Sequence, residues 1–201
     1  METFSEKWSG DESLEIIKSM IKTARNEFGE NGHLYLIWGY VVLICSVAEF
    51  VLLHFFNYAN HALVWMLTWV ALIYQIIYLS RNAKKRKVRT YTADTINQIW
   101  MVFAVLMILI CFILGFKLQG ESVQLYAPVI LCLYGMPTFL TGRILQFQPL
   151  ITGGVACWVL SVIALFLIND FQILLFGLAV IIAWIIPGYL LKKKYNSIAD
   201  E

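Results

Sequence analysis

The stretch TINQIWMVFAVLMILICFILGF, residues Thr95 to Phe116, decides the fold. It contains no charged side chain, and about 20 apolar residues in a helix span the hydrocarbon core of a bilayer. Strands and soluble core helices are normally shorter than this, so the segment reads as a membrane-crossing helix. Five further segments have the same character: Leu34 to Phe56, Ala62 to Ser80, Val123 to Thr141, Leu150 to Ile168 and Phe171 to Leu191. The predicted class is all-α, a polytopic bundle of six transmembrane helices arranged as three hairpins. Residues 34–191 form the membrane domain, between a cytoplasmic leader (1–33) and a short cytoplasmic tail (192–201).

The whole chain agrees with its most apolar stretch. Hydrophobic residues make up 60% of the 201 positions and charged ones 14%, against roughly 25% charged in soluble domains. Disorder, collagen-like repeats and a disulfide-stapled module are excluded by that balance. Cys45, Cys111, Cys132 and Cys157 fall on four different predicted spans. With no paired spacing among them, they read as reduced, structural thiols.

The basic residues assign the sides. Lys7, Lys18, Lys22, Arg25, Arg81, Lys84, Lys85, Arg86, Lys87, Arg89, Arg143, Lys192, Lys193 and Lys194 lie at one set of span ends, and only Lys117 lies at the other. Positive residues stay inside, which places both termini in the cytoplasm of a multi-pass inner-membrane protein. No secretory signal peptide is expected, because the first apolar run begins behind an acidic, helical leader without a small-residue cleavage site.

Within the leader, Leu14, Ile17, Ile21, Ala24 and Phe28 recur at helical intervals behind the Ser9 and Glu12 start signal. The polar face mixes Glu15, Lys18, Lys22, Arg25 and Glu27, so it lacks the cationic bias of a helix held on anionic lipid. Residues 12–28 therefore read either as an interfacial helix resting on the bundle or as a docking helix for a protein partner or second copy. The run Lys84, Lys85, Arg86, Lys87 and Arg89 acts on topology and on anionic lipid headgroups. It is too short to be a nucleic-acid reader, and no nucleic-acid partner is expected.

Glu49 is the one acidic residue inside a predicted span. An intramembrane carboxylate marks a functional candidate, here a proton or cation site. Its other reading is a structural group hydrogen-bonded to an outer polar residue such as Tyr126. His54 and His61 lie close to that outer face, yet five residues separate His54 from Glu49, which turns the two apart on a helix and argues against metal ligation, so both histidines read as interfacial and solvated. No metal and no cofactor are expected. Pro128, Pro137 and Pro187 lie in spans four and six as candidate kinks or hinges, because each removes a backbone donor. Asp94 opens span three and Arg143 closes span four on the same side, a candidate cytoplasmic latch. Gly153, Cys157, Ser161 and Ala164 give span five a small-residue face for close helix approach.

Glycine-rich phosphate loops, HExxH, GxSxG and paired-glutamate motifs are absent, so catalysis has no visible template. At YLIWGY (Tyr35 to Tyr40), YGMPTFLTGRILQFQPLITGG (Tyr134 to Gly154), Trp158 and IPGYLLKKKY (Ile186 to Tyr195), the chain resembles an uncharacterised family of small six-span bacterial inner-membrane proteins. The resemblance implies the six-span fold and carries no activity or catalytic residue. The leading expectation is a non-enzymatic membrane protein that binds a partner or self-associates. Its rival is a small-solute or ion transporter with Glu49 as coupling carboxylate.

Overall fold

The computed structural model describes residues 32–56, 58, 60–83, 91–117 and 123–199, together with residues 14–16 and Ser19 of the leader. The rest of the leader, including most of residues 12–28, and the run from Lys84 to Arg89 lie outside the described residues. Every regular element among those described is helical. Helix α1 (Gly32–His54) is followed by a 3₁₀ turn (His61–Met66) that leads into α2 (Leu67–Ala83). Helix α3 (Tyr91–Lys117) precedes a second 3₁₀ turn (Val123–Leu125) at the head of α4 (Tyr126–Ile144). Then come α5 (Gln148–Ala164) and α6 (Asn169–Val180), which continues through a π-helical turn (Ile181–Ile185) into α7 (Ile186–Ala199).

Among the described residues, five stretches are long and apolar enough to cross a membrane: Leu34–His54, His61–Arg81, Tyr91–Phe116, Tyr126–Ile144 and Asp170–Lys193. The fifth predicted span differs. Expected to run from Leu150 to Ile168, it is the 17-residue α5, which stops at Ala164. Buried Gln172 explains the stop, because its side-chain amide donates to the carbonyls of Ala164 (2.8 Å) and Leu167 (3.0 Å). Those bonds add side-chain donors at the helix end, where the Ala164 carbonyl also accepts from the Leu167 N–H at 3.2 Å.

The expected hairpins, spans one with two, three with four and five with six, do not carry the main packing. The closest associations are α4 with α5 and α1 with α6. Glycines set the first: a Cβ on Gly154 would lie 2.7 Å from the Phe139 backbone nitrogen, and one on Gly142 would lie 2.7 Å from that of Ile151. Close backbone approach of this kind requires small residues at the contact. The expected small face of α5 is used as well, with Gly153 against Ala183, Cys157 and Ala164 buried, and Ser161 Oγ donating to the Pro128 carbonyl at 2.7 Å. The turn between α4 and α5 is a Schellman closure. Phe147 N–H donates to the Gly142 carbonyl (2.9 Å) and Gln146 N–H to that of Arg143 (3.3 Å), with Gln146 at φ 50°. Leu145 and Phe147 on either side of it are buried.

A cluster of rings fills the core around Trp184 in the π turn. Tyr134 of α4 lies 4.9 Å away between ring centres, Trp100 of α3 6.1 Å and Tyr35 of α1 6.4 Å. The Trp184 indole donates to Thr138 Oγ1 at 3.2 Å, so the polar edge of the ring is satisfied in the interior.

The three prolines part company here. Pro128 occupies the first turn of α4, where a missing N–H breaks no helical bond, so it is not a kink. Pro137 lies inside α4, beside the Cys132 carbonyl that accepts from Trp158 Nε1 at 3.2 Å. Pro187 directly follows the π turn, where Ile186 N–H reaches the Ile181 carbonyl. A widened turn relieves the clash between a proline ring and the carbonyl four residues back.

The glycine contact yields a paired test. Gly154→Ala forces a Cβ into the Phe139 backbone and should lower stability by roughly 1–3 kcal/mol, seen as a lower thermal midpoint in detergent. Gly115→Ala, whose Cβ would meet only the Tyr126 hydroxyl at 3.7 Å, should stay within about 0.5 kcal/mol of the parent.

Candidate functional site

Helix α1 turns one narrow face inward. Val42, Cys45, Ser46 and Glu49 are all buried and recur at intervals of three and four residues, the spacing of one side of a helix. Ser46 reaches into α6, where its hydroxyl donates to the Ile173 carbonyl (2.6 Å) and accepts from the Gly177 amide (3.2 Å). It thus bridges the two groups that an α-helix would pair with each other four residues apart. Cys45 Sγ contacts the Val64 carbonyl at 3.4 Å, joining α1 to the first 3₁₀ turn.

One helical turn further along, Glu49 is 7% exposed and holds that same 3₁₀ turn with both oxygens. His61 Nδ1 lies 2.8 Å from Oε1, and Trp65 Nε1 donates to Oε2 at 2.6 Å. The two partners stand four residues apart at the start of the second apolar stretch, so one carboxylate receives both from one element. Trp65 is held in turn by Phe176 of α6, edge to face at 5.9 Å. The His61 side chain is 28% exposed and the Glu49 side chain 10% exposed, so the imidazole is the more accessible partner of the pair. Indole N–H can only donate, which makes Oε2 an obligatory acceptor and leaves a single shared proton between Oε1 and Nδ1.

The other candidates fall elsewhere. His54 pairs with Asp170 at 3.2 Å and stacks on Phe50 at 5.2 Å, so the histidine that belongs with Glu49 is His61. The hydrogen bonds of Glu49 go to His61 and Trp65 rather than to Tyr126, whose hydroxyl lies beside Gly115 of α3. His54–Asp170 and His61–Glu49 are ion pairs, and Arg143, half of the expected cytoplasmic latch with Asp94, is exposed. No group of three or more His, Cys, Asp or Glu side chains among the described residues could hold a metal ion.

Sequence reading missed Trp65, Ser46 and Gln172, and it set His61 aside. The usable signal was the His61 and Trp65 spacing just past the turn from α1, since a hairpin returns that position to the level of Glu49. No family model, curated protein or solved structure matches this chain.

Two substitutions should separate a buried charged contact from a helix bridge. Trp65→Phe removes a hydrogen bond to a carboxylate and should lower stability by about 1.5–3 kcal/mol. Ser46→Ala lets α6 close its own backbone bond and should lower it by about 1 kcal/mol or less. Thermal unfolding of both proteins in one detergent checks the order.

Proposed function

We propose that this chain is a six-span bacterial inner-membrane protein, with both termini cytoplasmic, that works by lateral association with membrane-embedded helices, a second copy first among them. The observation that carries this reading is the standing of α2 and α3. None of the residues in the apolar window of α3 is buried, and only 6% of those in the α2 stretch are. Helix α3 packs chiefly on α4 and presents Met101, Val105, Ile108 and Phe112 outward. The remaining helices share contacts with several neighbours.

Six spans suit the helix lengths. At 1.5 Å per residue, 17-residue α5 rises about 25 Å, some 5 Å short of the hydrocarbon core. Exposed Leu165, Phe166 and Ile168 extend its apolar path. The orientation rests on the basic residues at one set of helix ends, and the leader with the Lys84 to Arg89 run would supply a cytoplasmic contact surface. The transport reading keeps one specific support, the buried carboxylate of Glu49. Its signature is a proton-linked or cation-linked flux that is lost in Glu49→Gln.

Two cysteines are exposed, Cys111 on α3 and Cys132 on α4. Treatment of native membranes with a short, membrane-permeant bismaleimide should give a dimer-sized adduct that disappears in Cys111→Ser and survives in Cys132→Ser. A chain that stays monomeric, or an adduct indifferent to Cys111, counts against association through α3.

A further inference from the structure

Glu49, His61 and Trp65 form a closed set in which each group has a defined protonation role. Trp65 can only donate, so it keeps Oε2 of Glu49 as an acceptor. The 2.8 Å contact between Oε1 and His61 Nδ1 holds one proton. With that proton on Nδ1, both carboxylate oxygens accept a hydrogen bond and the ring nitrogen left with a free lone pair is His61 Nε2. That nitrogen belongs to the more exposed partner, for the His61 side chain is 28% exposed and the Glu49 side chain 10%.

We propose that this set is a proton-binding site open to the aqueous face on which His54, His61 and Asp170 lie, and that the exchangeable proton enters and leaves at His61 Nε2. The step is a simple transfer. Hydronium gives its proton to Nε2 and leaves as water, while the Glu49–His61 pair passes from a net charge of −1 to zero. The Oε1 to Nδ1 hydrogen bond persists through the change, so the largely buried carboxylate keeps both of its partners.

The surroundings isolate the pair. On α1 the other titratable groups at this level are Cys45, one turn inward, and His54, whose ring lies against Phe50. From α6, packed against α1, the only charged side chain is Asp170, which is engaged by His54 at 3.2 Å. The 3₁₀ turn brings His61 alone, the link before it brings exposed Tyr58, whose carbonyl accepts from the His61 amide at 3.2 Å, and α2 places its ionisable groups, Tyr74, Tyr78 and Arg81, further along toward its far end. One histidine and one carboxylate therefore share the proton. The site does not depend on the orientation proposed above, which decides only whether this face is the outer one.

Nitrogen-15 NMR of the full chain in lipid bilayers, labelled at its three histidines, tests the assignment. His33→Asn and His54→Asn variants identify the His61 signals. In the parent at high pH, His61 should carry its proton on Nδ1 with Nε2 bare, and acidification should protonate Nε2. In Glu49→Gln the amide oxygen is retained by Trp65 and the amide nitrogen turns to His61, so the imidazole should switch to the Nε2–H form and Nε2 should gain no proton on acidification. Trp65→Phe should leave the parent tautomer in place. An Nε2–H tautomer in the parent at high pH, or an Nε2 whose signal does not change between pH 9 and pH 5, overturns the proposal without reference to any variant's folding. Lanthanide added to one side of sealed vesicles, with a tag at the C-terminus as reference, shows which face His61 meets. Broadening of His61 together with the tag contradicts the orientation and leaves the site standing.

Discussion

An amide or carbonyl group in an apolar interior must find its partner inside the protein, and an unpaired one costs several kcal/mol. That constraint explains why every described element is helical, and it explains the side chains that matter most between helices. Gln172 closes the end of α5, Ser161 reaches the Pro128 carbonyl, Ser46 bridges an amide and a carbonyl of α6, and Trp158 donates beside Pro137. Each of these side chains adds a hydrogen bond to the backbone of another segment. Polar groups are few in this chain, and they are spent on helix junctions.

Glu49 is the charged case of the same rule. A carboxylate that leaves water needs donors for both oxygens, and the 3₁₀ turn supplies them from His61 and Trp65. The bond runs both ways, since the turn is fastened to α1 by that carboxylate and by the contact of Cys45 with Val64. The proposed proton site and the anchoring of α2 thereby involve the same carboxylate. The four elements with shared cores, α1, α4, α5 and the rod of α6 and α7, form a firm body, to which α2 and α3 attach at the edge with most of their apolar surface uncovered.

Much of this could be read without coordinates. Helix class, the approximate limits of most apolar segments and the small-residue face of α5 follow from local pattern, because a 20-residue apolar run has one stable form in a bilayer and close approach needs small side chains. Glu49 stood out for the same local reason, as a charge in an apolar run. The stop at Ala164 was illegible because Gln172 lies beyond it and acts back through space. Pro128 was misread as a kink because its effect depends on where the helix begins, and a boundary shift of a few residues moved it from the interior to the first turn.

The sequence by itself determined the helical class, the apolar lengths and the presence of a lone carboxylate, since these depend on composition and spacing along one chain. Only the tertiary structure decided that α4 packs on α5 and α1 on α6, that His54 belongs to Asp170, and that Glu49 takes His61 and Trp65. Partners of that kind are set by the rotation and depth of one helix against another. A shift of one residue turns a helix by about 100°, given 3.6 residues per turn, so spacing within a helix cannot choose among side chains on its neighbours.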